Sequence, residues 1–379
     1  MSKVAIISCN SYEPAEVDAA VERGVSLLGG AGSFVQPGEK ILLKLNWLSA
    51  DPPEKSVTTH PAVFHAVAQL FQRAGAVLSY GDSPGFQAPD IASKRTGATQ
   101  IASELNIPLA DFRAGQEVHF AEGHQNKKFI IANAVLESDG VISLPKMKTH
   151  AFQRVTGAVK NQFGCVPGAL KGEFHVKVPD AYEFAKMLID LNTLVHPRLY
   201  VMDGIMAMEG NGPRGGDSRK MGVLLFSSDP IALDATMCRL MNLDPALVLT
   251  NKAGQEMGAG TYLSEEITLL GDPIEPLIAA DFRVNREPDA KTTKKKQPAI
   301  IKSALTARPE IIAERCVKCG ICVSMCPVTP KAVDWHDGNK SNPPSYRYDR
   351  CIRCYCCQEV CPESAIRVKV PFLRRMLDR

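Results

Sequence analysis

The segment Lys40-Ile-Leu-Leu-Lys-Leu-Asn-Trp47, followed by Thr59-His-Pro61 and, after one helix length, Gly75-Ala-Val-Leu-Ser-Tyr80, sets the fold class. Ile41-Leu42-Leu43 form the centre of a short apolar run, read as a strand over Lys40–Trp47. Thr59 is placed to cap a helix from Pro61 to Ala74, which Gly75 ends, and Val77–Tyr80 is a second strand. Strand, helix and strand in this order form a crossover unit, which belongs to a parallel sheet covered by helices.

The same alternation extends both ways. Val4–Ser8 is a strand, and Pro14 to Leu28 a helix with Val17, Ala20, Val21, Val25 and Leu28 on one face. Further apolar runs at Phe129–Ile131, Val141–Leu144, Leu199–Met202 and Val223–Phe226 are read as strands, with helices from Ala181 to Val195 and Pro230 to Met241. The pattern predicts an α/β domain over residues 1–282, a doubly wound, mostly parallel sheet in three layers.

Polar residues gather where such a sheet binds ligands, beyond the strand ends. Lys44-Leu-Asn46, Gly81-Asp82-Ser83-Pro84-Gly85, Lys146-Met-Lys148-Thr-His150, Asp203-Gly204 with Glu209, and Asp229-Pro230 each follow a strand. Lys160-Asn161 comes one helix after the third group. Lys44, Asn46, Lys146, Lys148, Lys160, Asn161 and Asp203 are read as binding an anionic substrate or cofactor, and His150, Asp82 and Glu209 as candidates for proton transfer. The lysines at 146 and 148 are expected to face the ligand and add little to the core. Asp229-Pro230 is equally read as a helix cap. Gly210-Asn-Gly212-Pro-Arg-Gly215 matches the dinucleotide glycine spacing but leads into a strand, and no P-loop is present.

Composition divides the chain. The 379 residues carry 44 Lys and Arg and 41 Asp and Glu, and residues 283–379 hold 20 and 10 of these, leaving 24 against 31 in residues 1–282. Nine of twelve cysteines lie in the basic part. Arg283 to Pro309, with Lys291-Thr-Thr-Lys-Lys-Lys296, is read as a basic linker, residues 310–370 as a second domain, and 371–379 as a basic tail. Cys9, Cys165 and Cys238 are isolated and read as buried structural thiols. No apolar run spans a bilayer and no signal peptide precedes Val4, which favours a reducing cytoplasm, where metal binding is the usual fate of clustered cysteine.

Cys316-x2-Cys319-x2-Cys322-x3-Cys326-Pro327 recurs 35 residues later as Cys351-x2-Cys354-x2-Cys357-x3-Cys361-Pro362. Three thiolates at this spacing wrap one cubane, and the fourth, before proline, ligates the other. Cys316, Cys319, Cys322 and Cys361 are therefore assigned to one 4Fe–4S cluster, and Cys351, Cys354, Cys357 and Cys326 to a second, in a small α+β ferredoxin-like domain. Cys356 is out of phase and read as a spare thiol, and the 24 residues between Cys326 and Cys351 as a surface loop. The basic surface suits an acidic redox partner protein. Nothing points to nucleic acid.

The motifs quoted above, with Asp229-Pro230-Ile-Ala-Leu-Asp234 and Cys351-Ile-Arg-Cys354-Tyr-Cys-Cys357, resemble the ferredoxin-fused branch of the family labelled domain of unknown function 362. The resemblance covers nearly the whole chain and implies the same architecture and clusters. The reading that follows is an oxidoreductase passing electrons through two clusters to or from an anionic ligand. Its alternative is a non-catalytic electron carrier or a docking factor for a redox partner.

Overall fold

Eleven strands and their helices account for the first 288 residues. The computed structural model describes residues 1–288 and 306–371, so the Lys291–Lys296 run and most of the C-terminal tail lie outside the described residues. In chain order the strands are β1 (Ser2–Ser8), β2 (Lys40–Lys44), β3 (Val77–Gly81), β4 (Gly115–His119), β5 (Lys128–Ala132), β6 (Gly140–Ser143), β7 (Lys146–His150), β8 (Arg154–Thr156), β9 (Leu199–Glu209), β10 (Asp217–Ser227) and β11 (Ile267–Gly271). The central sheet runs β11-β1-β10-β9-β6-β2-β3, with β7 beside β9 and β8 beside β7. Four of the six pairings along that path are parallel; β10 runs antiparallel between β1 and β9.

The alternation of side chains along β1 sends Ala5 and Ile7 to one face and Val4 and Ile6 to the other. On the first face lie the Pro14–Leu27 and Pro61–Arg73 helices, through Val17, Val21, Val63, Val67 and Phe71. On the second, Leu233, Met237 and Leu240 of the Pro230–Leu240 helix meet Ile6, Met202 and Leu225. Each such fully buried aliphatic side chain contributes about 1.5–3 kcal/mol. The Ala181–Val195 helix completes this layer, capped by Asp180, which accepts from Tyr182 and Glu183 N–H at 2.9 and 3.0 Å. The result is the three-layer α/β architecture expected.

Several local expectations change. The strand starting at Lys40 ends at Lys44, because Leu45–Trp47 turn away to accept and donate across the rim. The run at Phe129–Ile131 joins β4 in a separate hairpin rather than the central sheet. Lys146–His150 is a buried strand, not a rim loop: after Pro145 it continues the line of β6 along the long β9. His60, not Thr59, caps the Pro61 helix, its Nδ1 accepting from Ala62 N–H at 3.2 Å. Thr59 instead donates to the Leu144 carbonyl and accepts from Asn46 N–H. The glycine-rich Gly210–Gly215 turns β9 into β10, with no helix to receive a pyrophosphate.

In the cysteine-rich part, β12 (Arg308–Ile311) pairs antiparallel with β15 (Ile366–Lys369), and β13 (Val333–Asp334) with β14 (Ser345–Tyr346). The segment between Cys326 and Cys351 is thus partly built in, with Ala332 and Val333 buried. Single helical turns, Ile321–Ser324 and Cys356–Glu359, start from residues in the left-handed region, Gly320 at φ 77° and Tyr355 at φ 62°. A side chain on Gly320 would meet Trp335 at 3.0 Å, whereas Tyr355 is free to reach the Ala307 carbonyl. That is why the duplicated turn keeps glycine in one copy only.

The segment read as a linker is anchored at both described ends. Arg283 binds Glu209 and Asp217, Arg286 donates to the Met241 and Asn242 carbonyls, and Arg308 and Pro309 already belong to β12. The cysteine-rich part sits directly on the α/β part. Buried Arg214 donates to Asp51 and to the Val360 carbonyl, each at 2.7 Å. Gln358 donates to the Asn211 carbonyl at 2.8 Å, and Asn211 to the Ile366 carbonyl at 2.9 Å.

Candidate functional site

The ends of β2, β3 and β7, the Lys160–Gly164 segment and the second cysteine turn enclose a crevice of about 840 Å³ measured to its open mouth. About 110 Å³ of it is open to the centre of a water molecule, room for a small molecule. The α/β part supplies Asn46, Trp47, Asp82, Ser83, Lys148, His150, Lys160, Asn161, Lys171 and His175 to its walls. The cysteine-rich part contributes Met325, Cys356, Glu359 and Val360. Six of the ten crevice residues read from the sequence therefore meet here. Lys44, Lys146, Asp203 and Glu209 do not line it.

The exclusions have physical causes. Lys44 is fully buried behind Asp82, its Nζ 2.8 Å from the carboxylate and donating to the Leu45 and Asn161 carbonyls. Lys146 is equally buried: its ammonium is 2.7 Å from Asp203, which also accepts from Tyr12 O–H and His60 N–H. Lys146 and Asp203 are thus a structural pair, against the expectation that Lys146 faces a ligand. Glu209 is held by Arg283 at 2.8 Å at the far end of β9. Asp82 lines the crevice, but Lys44 and the N–H groups of Trp47 and Ser83 occupy its carboxylate. Gly164 is required beside this pair, since a Cβ there would come within 2.0 Å of Asp82 Oδ1.

Lys148 differs from Lys44 and Lys146. It is 1% exposed, yet among the described residues its Nζ donates only to Asn46 Oδ1 and the Val57 carbonyl, both at 2.6 Å. Burial, with the Lys160 and Lys146 charges, brings its pKa down to about 7. Lys171 donates to the Ser83 carbonyl and hydroxyl at 2.8 and 3.0 Å, and burial lowers it to about 7 as well. Lys160 lies 5.5 Å over the Phe163 ring and has no hydrogen bond or ion pair among the described residues. Its charge helps hold the Glu359 carboxyl below the usual range, to about 2, against the burial that would raise it.

His150 Nδ1 accepts from the Phe152 and Gln153 N–H groups, so its proton sits on Nε2, 3.0 Å from Glu359 Oε1 though off the line of a good hydrogen bond. Burial pushes the pKa of His150 down to about 4, that of His175 to about 3 and that of His60 to about 4. These three stay neutral in the fold but titrate near 6.5 once unfolded. A depressed histidine pKa makes the unfolded chain bind more protons below 6.5, so stability present above that pH is lost as pH falls toward 4. Each contributes a slope of roughly 1 kcal/mol per pH unit in that window. Urea unfolding between pH 6.5 and 4.5 should show His175→Phe, whose ring can keep the stack on Phe184 (4.5 Å between centroids), with a shallower slope than the wild type. Parallel pH curves would contradict this.

Besides His150 Nε2 and Glu359 Oε1, which face each other, three buried polar atoms on residues lining the crevice have no partner among the described residues: Trp47 Nε1, Thr156 Oγ1 and His175 Nδ1. Buried polar groups ordinarily have one.

The cysteines surround two further cavities. One is lined by Cys316, Cys319, Cys322 and Cys361, the other by Cys326, Cys351, Cys354 and Cys357. Four thiols facing each cavity fit a cubane with four thiolate ligands. Tyr346 O–H donates to Cys357 Sγ at 3.3 Å, and Ala365 N–H to Cys361 Sγ at 3.3 Å, contacts of the kind that tune such sulfurs. Cys356 lines neither cavity; it faces the crevice, and Cys319 is the exposed thiol of the first set.

The sequence reading missed Lys171, His175, Cys356 and Glu359. A signal for the last two was present: with the 35-residue offset, Cys356, Gln358 and Glu359 replace Ile321, Val323 and Ser324, and all three face the α/β part.

An α/β domain joined to a two-cluster ferredoxin-type module is the class this architecture defines. The chain belongs to the family described as domain of unknown function (DUF362), whose model matches residues 41–239, and residues 315–365 match a 4Fe-4S dicluster domain. It is 36% identical over 279 residues to the thylakoid-associated protein sll1697 of Synechocystis, covering 73% of this chain and 86% of that one. The lactate racemase apoprotein of Thermoanaerobacterium thermosaccharolyticum aligns with a TM-score of 0.40 and 12% identity, over 64% of this chain and 56% of that one, little more than half its length. Among the described residues no helix is long and apolar enough to cross a membrane.

Proposed function

We propose that this protein is an iron–sulfur oxidoreductase that passes electrons through two 4Fe–4S clusters to or from an anionic ligand held in the crevice. The observation that carries the reading is that the crevice walls come from both parts of the chain. Cys316, Cys319, Cys322 and Cys361 hold one cluster, and Cys326, Cys351, Cys354 and Cys357 the other, leaving Cys356 unligated. When bound, the clusters supply one-electron transfer at low potential.

The exposed Cys319, flanked by Arg315 and Lys318, marks where an acidic redox partner protein docks. The second thiol set lies on the crevice side, since Cys356 and Glu359 of the same turn form the crevice wall. Lys160 binds the anionic group, with Asn46 and Asn161 orienting it. Proton transfer falls to Lys148, Lys171 and His150, while Asp82 fixes the rim through Lys44 and Glu209 takes no part. A reducing compartment such as the cytoplasm suits the clustered thiols, and any membrane association of the kind the Synechocystis relative's name describes would be peripheral.

Thermal shift of the anaerobically purified protein against small carboxylates and phosphates tests the crevice. At least one anion should stabilise the wild type, and Lys160→Gln should weaken that anion about tenfold or more, because a charge-assisted hydrogen bond contributes about 1.5–3 kcal/mol. Its melting temperature without anion should stay put. If no anion stabilises the wild type, the carrier or docking reading takes its place.

A further inference from the structure

Three lysines lie side by side at the end of the sheet, and they are not equivalent. Lys44 and Lys146 each sit within 2.8 Å of a carboxylate, Asp82 and Asp203. Lys148, as deeply buried, has no carboxylate within ion-pair distance among the described residues, and its Nζ donates to two neutral acceptors. Two donated bonds use both N–H groups of a neutral amine and leave its lone pair unengaged. A buried ammonium without a counter-charge carries a heavy desolvation cost, which favours the neutral form. The Lys160 and Lys146 charges also disfavour a third cation, against the Asp82 and Glu359 carboxylates, which favour it from beyond ion-pair distance.

A neutral primary amine on the wall of a crevice is a nucleophile toward carbonyl carbon. We propose that Lys148 captures a small oxo acid covalently: the carboxylate rests on Lys160, and the Lys148 amine adds to the adjacent carbonyl. The addition forms a C–N bond and a carbinolamine; loss of its hydroxyl as water leaves an imine, and hydrolysis by the same water reverses the step. No oxidant or reductant is consumed. The departing water leaves through the open mouth of the crevice. Lys171, also on the crevice wall, is less buried, and Asp82 is the charge that acts on it most strongly, favouring its ammonium form. The inference rests on the crevice being an organic-anion site and adds the substrate class.

The test is reductive trapping on the full-length, cluster-loaded protein. Incubation with glyoxylate or pyruvate and cyanoborohydride at pH 7, then digestion and mass spectrometry, should give one adduct per chain on the peptide carrying Lys148. At that pH an ordinary lysine is almost wholly protonated, so labelling of Lys148 should exceed that of surface lysines on the order of a hundredfold. Lys148→Arg, which keeps the donors but not the nucleophile, should lose the adduct while retaining its iron. A wild-type protein that binds these acids by thermal shift yet yields no adduct, or is labelled at Lys160, Lys171 or the surface instead, overturns the role of Lys148 while leaving the crevice reading standing. Absence of binding in the thermal-shift assay would remove the crevice reading itself.

Discussion

Cys326→Ala is expected to destroy or convert the cluster whose other three ligands lie after residue 350, while the cluster of the first cysteine triplet persists. Cys326 stands in the first repeat but lines the cavity of Cys351, Cys354 and Cys357, and Cys361 reciprocally lines that of Cys316, Cys319 and Cys322. Removing one of four thiolates leaves a cubane open at one corner, so iron should fall from about eight per chain toward four to seven. Electron paramagnetic resonance of the reduced variant should retain one signal of the wild-type pair. Loss of the other cluster would contradict the crossed ligation. Cys356→Ser should keep the full iron content, because Cys356 lines the crevice and neither cavity, although its thiol touches that of Cys354.

The second large effect concerns stability. Lys146→Met leaves Asp203 as a carboxylate with no exposure, still accepting from Tyr12 and His60 but without its cation. Breaking a buried pair from one side costs about 3–5 kcal/mol, a large share of a domain's stability. Removing both charges, as Lys146→Met with Asp203→Asn, should return a good part of the loss, since the uncompensated charge is then gone. Urea denaturation followed by circular dichroism measures both. A single variant as stable as the wild type would mean that Lys146 is not the structural partner of Asp203, and the ligand-facing role expected from the sequence would return.

Much of this architecture is legible in the residues. Apolar runs such as Ile41-Leu42-Leu43 and helices opened by proline and closed by glycine place the sheet layers, because burial and chain punctuation are local. The cysteine spacing is equally local, so the thiol sets follow from it. The crevice is legible in part: Lys148, Lys160, His150, Asp82, Asn46 and Asn161 gather as strand-end residues should. Which of the lysines are paired is not local. It depends on Asp203 lying opposite Lys146 across a parallel pairing and on Asp82 reaching Lys44, contacts between segments far apart in sequence. Nor could the order of strands show that the second cysteine turn closes the crevice; only the repeat's departures at Cys356, Gln358 and Glu359 hinted at a second surface to match.

Coupling between the crevice and the clusters is the point on which the function stands. The direct measurement is a redox titration of the anaerobic protein, monitored by electron paramagnetic resonance, with and without an anion that stabilises it. The anion is expected to perturb the signal or potential of the cluster held by Cys326, Cys351, Cys354 and Cys357, to leave the other nearly unchanged, and to lose this effect in Lys160→Gln. Two cluster signals indifferent to every stabilising anion would contradict it.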